Sequence, residues 1–257
     1  MKKDDFPNIK NFRDLGGMPT ADGHAVRPHC LLRGADLSRL SLEEGNRLRE
    51  TYRLGRIYDL RFDNEVFKAP DRIPMGVVYK RCGAAVDRRD EYERQKGERL
   101  ADYLRRLPDM ESLYRAMISN EEYFSATREV VGETVRSAGP DCSVYIHCSE
   151  GKDRTGTAMV LLELLLGADR NTIVADYMAS APYFEPRNTL YEIFFSAATR
   201  DRTFTREFMK MFRPDPSLPE AVLDEIQQQY GSTEAFYREG IGLTDAEIRS
   251  FRSRVLT

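Results

Sequence analysis

Residues 143–166, SVYIHCSEGKDRTGTAMVLLELLL, constrain this chain more than any other stretch. The short run SVYI reads as a strand, and TAMVLLELLL as a helix that is apolar around its circumference and therefore buried. Between them the decapeptide HCSEGKDRTG, residues 147–156, must turn the strand directly into the helix. Such a turn aims successive backbone N–H groups at one point, and the helix dipole adds partial positive charge there, so the turn is an anion cradle. Gly151 and Gly156 permit close approach of the backbone to that anion.

The side chains of the turn suit this field. Cys148 stands at the mouth of the cradle, where the positive field favours thiolate over thiol and makes the sulfur a nucleophile. Arg154 follows six residues later, and a loop curled around a tetrahedral anion returns its guanidinium to bind two equatorial oxygens. Thr155 offers a hydroxyl to the sulfur, Ser149 belongs to the same anion-binding loop, and His147 orients the loop through its ring nitrogens. A lone cysteine and a lone arginine would mean a buried thiol and a surface cation. Their joint placement with the strand, the Arg-Thr-Gly ending and the apolar helix points to a nucleophile beside a bound tetrahedral anion.

No global basic field surrounds the cradle. Lys plus Arg number 39 against 42 Asp plus Glu, a net charge of −3, which argues against nucleic acid as a partner. Cys30, Cys82, Cys142 and Cys148 lack CxxC spacing, and His24, His29 and His147 form no metal-ligand pattern, so neither a metal nor another cofactor is expected. MKKDDFPNIKNF carries Asp4 and Asp5 where a signal peptide needs an apolar stretch, and no run approaches membrane-spanning length. The expectation is a cytoplasmic protein without integral membrane association, export by a route that needs no signal peptide being the alternative.

In the front third, PHCLLRG, SLEEGNRLRETY, RIYDLRF and GVVYKRC alternate strand-like with helical character, which predicts an α/β domain with RIYDL and VVYKR as core strands. Ser41 with Glu44, Ser217 with Glu220 and Thr244 with Glu247 have capping-box spacing. From about 87 to 139 no strand pattern recurs. Tyr92, Leu100, Tyr103, Leu104 and Leu107 recur at helical spacings in a highly charged stretch, read as an amphipathic insertion that covers one sheet edge or acts as a lid. Its arginines Arg88, Arg89, Arg94, Arg99, Arg105 and Arg106 are interleaved with acids and read as a solvated face. Residues from about 180 to 257 read as helical, with Tyr191, Phe194, Phe195, Phe204 and Phe208 as core. With 257 residues the whole reads as a single domain, 1–257.

HCSEGKDRTG resembles the HC-x5-R-[ST]-G signature of cysteine-dependent protein tyrosine phosphatases, and its KDRTG ending resembles the atypical bacterial subgroup that acts on tyrosine and phosphoinositide substrates. NFRDLGG at 11–17 is similar to that subgroup's amino-terminal motif, and LLRGADLSRLS and DLRFDNE, Asp59 to Glu65, also resemble it. The resemblance spans Asn11 to about Ser180. It implies a tyrosine-phosphatase-like fold around a mostly parallel sheet of about four to five strands flanked by helices. It also implies a metal-independent phosphomonoesterase in which the thiolate attacks phosphorus and water hydrolyses the phosphocysteine. The substrate is then a phosphorylated protein, at tyrosine and also at serine or threonine, or alternatively a phosphoinositide.

That chemistry requires a proton donor for the leaving oxygen. Asp153 sits in the cradle, as in lipid phosphatases of the myotubularin and Sac types that similarly carry DRT; Asp59 is delivered to the carboxyl edge of the sheet, and Asp87 follows VVYKRCGAA. Asp153 is assigned the acid, with Asp59 positioning Arg154 or the cradle. Lys152 is a second cation for a further phosphate, and Glu150 at the rim repels a multiply charged headgroup unless a basic side chain neutralises it. Asn11, Arg13 and Asp14, next to Gly16 and Gly17, read as braces of a tight turn. Two other classes compete: a phosphate-binding module without turnover and a rhodanese-like sulfurtransferase. The presence of Cys148, Asp153, Arg154 and Thr155 together weighs against the first, and the Lys152–Gly156 sequence weighs against the second.

Overall fold

The computed structural model describes residues 6–83, 96–107 and 109–257. Its centre is a five-stranded sheet of β1 (Arg13–Asp14), β2 (Leu31–Gly34), β3 (Leu54–Asp59), β4 (Val78–Arg81) and β5 (Ser143–His147), in the order β1-β2-β5-β3-β4. Only β1 pairs antiparallel; β2, β5, β3 and β4 run parallel. β5 is therefore a central strand, and all five of its residues are buried. Its side chains alternate between two layers: Val144 and Ile146 join the larger core cluster, Tyr145 the smaller one on the opposite face. Leu31 and Leu32 on β2, and Tyr58 and Ile57 on β3, divide in the same way.

The smaller layer is closed by Phe6, Phe12 and helix α1 (Leu42–Glu50), whose Ser41–Glu44 capping box is formed as expected. After β3 comes the short α2 (Asp63–Lys68) and after β4 the short α3 (Leu100–Arg106), and the larger layer holds α4 (Met110–Ser119), α5 (Glu121–Ser137) and α6 (Asp153–Leu166). α6 is buried along nearly its whole length and ends at Gly167 with φ +88°, a left-handed cap that glycine adopts without steric penalty. Beyond it lie α7 (Arg170–Met178), α8 (Glu185–Thr199), α9 (Arg202–Met209), α10 (Ser217–Tyr230), α11 (Thr233–Ala235), a π-helical turn Phe236–Ile241 and α12 (Asp245–Val255). Phe251 and Val255 return the chain end to the core, where the Arg27 N–H bonds the Val255 carbonyl at 2.7 Å.

Several expectations change. VVYKR is an edge strand with Val78 51% exposed, because among the described residues β4 has a neighbour on one side only. Within the 87–139 segment, α4 and α5 place Tyr114, Ile118, Phe124, Val130, Val131 and Val135 in the main core, so this part is structural packing rather than a cover for the sheet edge. Asp87, Arg88, Arg89, Tyr92 and Arg94 lie outside the described residues. Of the five C-terminal aromatics only Phe208 is buried; Phe194 is 56% exposed, and the rings pack on one another between α8 and α9. Ser217 is the first residue of α10 rather than its cap: its N–H bonds the Asp215 carboxylate at 3.0 Å, and its hydroxyl accepts from Lys210.

Ile146 is wholly buried in the central strand. Ile146→Ala is expected to destabilise the fold by about 2–5 kcal/mol. The check is a lower urea midpoint at unchanged slope; a midpoint within error of the parent would contradict this packing.

Candidate active site

Parallel strands bring their carboxyl ends to one edge, and there His147 of β5 stands beside Gly34 of β2 and Asp59 of β3. Residues 148–152 then turn from β5 into α6, which begins at Asp153 without a side-chain cap on its first turn. The orphan N–H groups of that turn face the loop. Cys148 is buried at its start. Burial pushes the thiols of Cys30 and Cys82 up to about 11 and about 12, so those two stay protonated at neutral pH.

The loop is gripped from behind. Gly151 has φ +64°, and a Cβ there would lie 2.2 Å from the Gly34 carbonyl oxygen, so the loop rests directly on the end of β2. Asn11 Nδ2 donates to the carbonyls of Gly151 (2.9 Å) and Glu150 (3.3 Å), and Arg33 Nη2 donates to that of Gly151 (3.1 Å). With these carbonyls held at the back, the loop's concave side is left to N–H groups. Arg33 is 1% exposed, and Asp176 of α7 pairs with both Arg33 and Arg13. Burial opposes the Asp176 charge, but the two guanidiniums outweigh it and hold the carboxyl at about 2. Arg13 Nη1 also donates to Asn11 Oδ1, which fixes the amide that holds the loop, so NFRDLGG braces the loop, and Asp14 accepts from Gly16 and His29 N–H groups at 2.9 Å.

Arg154 leaves the first turn of α6 toward Glu65 of α2. Nη1 donates to Glu65 Oε2 (2.7 Å) and the Leu60 carbonyl (3.0 Å), and Nη2 to Glu65 Oε1 (2.9 Å). Glu65 Oε1 also accepts from Ser149 Oγ at 2.7 Å. Burial opposes the Glu65 charge, but Arg154 reverses the balance and draws the carboxyl down to about 2. This ion pair uses one edge of the guanidinium; among the described residues nothing accepts from Nε, so the Nε–Nη2 edge remains for a bidentate oxyanion. Phe62 lies under the guanidinium, its ring centroid 4.7 Å away.

Asp59 is read as positioning Arg154 or the cradle; in the structure Glu65, and not Asp59, holds Arg154. The wholly buried Asp59 carboxylate accepts from Arg61 Nε (2.9 Å) and Nη2 (2.8 Å) and from Tyr79 Oη (2.7 Å). Burial works against its charge, but His147 and Arg61 prevail and hold it at about 2, so it carries no proton to donate. Its remaining link to the cradle is through His147, whose Nδ1 is 3.8 Å away; His147 Nε2 is 3.2 Å from Asp71. Ligand atoms of Asp59, Asp71 and His147 lie within 4.8 Å of one another, yet Arg61 donates to both carboxylates and already supplies the positive charge there.

Lys152 is neither a rim cation nor a solvated side chain. It is wholly buried, with Nζ donating to the Met211 carbonyl at 2.8 Å and lying 3.5 Å from Asp153 Oδ1, so it ties the loop to the C-terminal helices. Glu150 has the neutralising partner its position requires: Arg187 of α8, at 2.7 Å. Thr155 Oγ1 is buried with no hydrogen-bond partner among the described residues. Gly156 lets Tyr177 pack at the start of α6, since a Cβ there would come within 2.9 Å of the ring. Asp153 sits beside the cradle, 29% exposed, and accepts from Tyr114 Oη of α4 at 2.7 Å. Glu65, Arg33, Arg61, Asp71, Asp176, Arg187, Tyr114 and Tyr177 are among the site residues that sequence reasoning did not single out; of these, Glu65, Arg61 and Arg33 lie in stretches with a signal of their own, DLRFDNE and LLRGADLSRLS.

The fold and site together define an α/β protein whose one-cysteine, one-arginine loop is shaped for a tetrahedral oxyanion. The family model described as the tyrosine phosphatase family matches residues 5–257, and the chain belongs to that family. It is similar to a protein of Cupriavidus necator named for tyrosine-protein phosphatase activity, 26% identical over 251 residues, covering 95% of this chain and 86% of that one. The triple specificity protein phosphatase PtpB of Mycobacterium tuberculosis is 29% identical over 200 residues, 68% of each chain. A tyrosine-protein phosphatase of Nostoc commune is 31% identical over 121 residues, 46% of this chain and 41% of that one. The protein is a phosphatase enzyme of this family. No helix among the described residues is long and apolar enough to cross a membrane.

The buried charges set a pH window for stability. Burial lowers the His147 value, but Asp71 and Asp59 outweigh it and raise it above 6.5. A raised value means that folding favours the proton, so this stabilisation is complete below 6.5 and is lost as pH rises through the higher folded value. Asp59, Asp176 and Glu65 work in the opposite sense: their contribution is complete above 4.5 and lost as pH falls toward about 2. Urea midpoints should peak between these limits, and His147→Asn should flatten the fall on the alkaline side. An unchanged alkaline slope in that variant would contradict a protonated His147.

Proposed function

We propose that the enzyme hydrolyses phosphotyrosine in proteins, and phosphoserine or phosphothreonine as well, through a phosphocysteine on Cys148. The observation that carries this reading is the loop itself: Cys148 opens it at the end of β5, Arg154 closes it in the first turn of α6, and Asn11 and Arg33 hold its carbonyls away from the anion. In the first step the Cys148 sulfur attacks phosphorus, the bond from phosphorus to the ester oxygen breaks, and the leaving oxygen takes the proton of Asp153. In the second step water attacks phosphorus, the phosphorus–sulfur bond breaks, and Asp153 takes the water proton back. Arg154 binds two equatorial oxygens in both steps, and the free Thr155 hydroxyl supports the sulfur as it leaves.

The name triple specificity, borne by the M. tuberculosis relative, supports a range wider than phosphotyrosine. Phosphoinositide hydrolysis by the same steps is the second reading. The Glu150–Arg187 pair favours it by removing the rim repulsion, whereas the buried Lys152 withholds the extra cation that a second phosphate would use. The reading as a binding module without turnover, and the sulfurtransferase reading, lack an observation of this kind.

Hydrolysis of an aryl phosphate in excess chelator, inhibited by vanadate, should fall by at least about 10³-fold in Cys148→Ser. Activity retained in that variant would reject the nucleophile. Asp153→Asn should slow an alkyl phosphate by about 10²-fold or more while slowing an activated aryl phosphate far less, because a good leaving group needs no proton. Equal losses on both substrates would reject Asp153 as the acid.

A further inference from the structure

Asp153 is held by a buried pair of tyrosines that the mechanism above does not use. Tyr114 on α4 is wholly buried, and its hydroxyl donates to Asp153 Oδ1 at 2.7 Å. Tyr177 on α7 lies behind it, hydroxyl to hydroxyl at 2.7 Å, the two rings edge to face with centroids 6.1 Å apart. A hydroxyl has one proton: with Tyr114 donating to Asp153, Tyr177 donates to Tyr114, and the chain runs in one direction toward the carboxyl. Lys152 Nζ, 3.5 Å away, also addresses Oδ1, while among the described residues no donor addresses Oδ2. Oδ1 therefore carries the accepting role and Oδ2 the proton.

We infer that Tyr114, steadied by Tyr177, is the positioning residue that turns Oδ2 of Asp153 toward the leaving oxygen. This rests on Asp153 being the general acid. The groups that face Asp153 are Lys152 and Arg154 from its own turn, Tyr114 from α4 and Tyr177 from α7. Burial raises both phenols well above 10, Tyr114 further through the charge of Asp153, so they stay protonated donors throughout the assay range. Removing the Tyr114 hydroxyl takes the donor from Oδ1, and the carboxyl loses its orientation.

The test measures kcat and KM for an activated aryl phosphate and a phosphoserine peptide, in the parent, Tyr114→Phe, Asp153→Asn and the double variant. Tyr114→Phe should lower kcat on the peptide about tenfold at unchanged KM and change the aryl substrate less than about twofold. In the Asp153→Asn background it should have no further effect on either substrate. Equal losses on both substrates, a change in KM alone, or a full additional loss in the double variant would overturn the inference while leaving Asp153 as the acid. If Asp153→Asn itself fails to separate the two substrates, the acid assignment falls and the role of Tyr114 with it. Should Tyr114→Phe not fold, Tyr177→Phe carries the test: it keeps the bond to Asp153, and kcat on the peptide should fall by a smaller factor with the aryl substrate unchanged, equal losses on both again counting against the inference.

Discussion

No side chain fits at position 151, and most of the site follows from that. With φ +64° and the Gly34 carbonyl within 2.2 Å of where a Cβ would be, Gly151 presses the loop against the end of β2. Only from there do Asn11 and Arg33 reach its carbonyl. A loop anchored through its carbonyls presents its N–H groups on the other side, which is where a phosphate needs them. The Gly34 contact in turn requires β2 beside β5, and the parallel register that aligns Gly34 with His147 supplies it. The central position of β5 is thus part of the chemistry as well as of the core.

Charge is arranged around this loop in compensated groups rather than as one basic field. Arg13 and Arg33 share Asp176 below the loop, Arg154 pairs with Glu65 beside it, and Arg61 and His147 meet Asp59 and Asp71 at the sheet edge. Breaking one member of a buried pair costs about 3–5 kcal/mol, because the other is left charged without water, so each group fixes geometry more than it adds net stability. Arg154 is held on one edge only, and the opposite edge is free to meet an oxyanion. The positive charge offered to an anion is thus local, in a chain whose net charge is −3.

What was legible in the sequence is what is local in the chain. The strand, loop and helix around Cys148 are consecutive, so their periodicities and the two glycines showed the cradle directly, and the alternation of elements before them showed an α/β sheet. NFRDLGG could be read as a brace because its glycines mark a turn, although its partners lie about 140 residues away. The partners of the loop's own side chains were not legible. Glu65 meets Arg154 across 89 positions and Tyr114 meets Asp153 across 39, and neither spacing leaves a periodic trace. Asp59 drew attention because it ends a strand at the functional edge, yet the arginine two residues on captures it locally. Lys152 looked like a free cation because sequence does not show that Met211 returns to cover it.

The proposed passage of phosphoryl through the Cys148 sulfur can be seen by acid-quenching the enzyme during turnover of a phosphotyrosine peptide and mapping covalent phosphate by mass spectrometry. A phosphoryl adduct is expected on the peptide that carries Cys148, formed before inorganic phosphate appears and absent when vanadate is present. Turnover with no adduct on Cys148, or with the phosphoryl group on another residue, would contradict it.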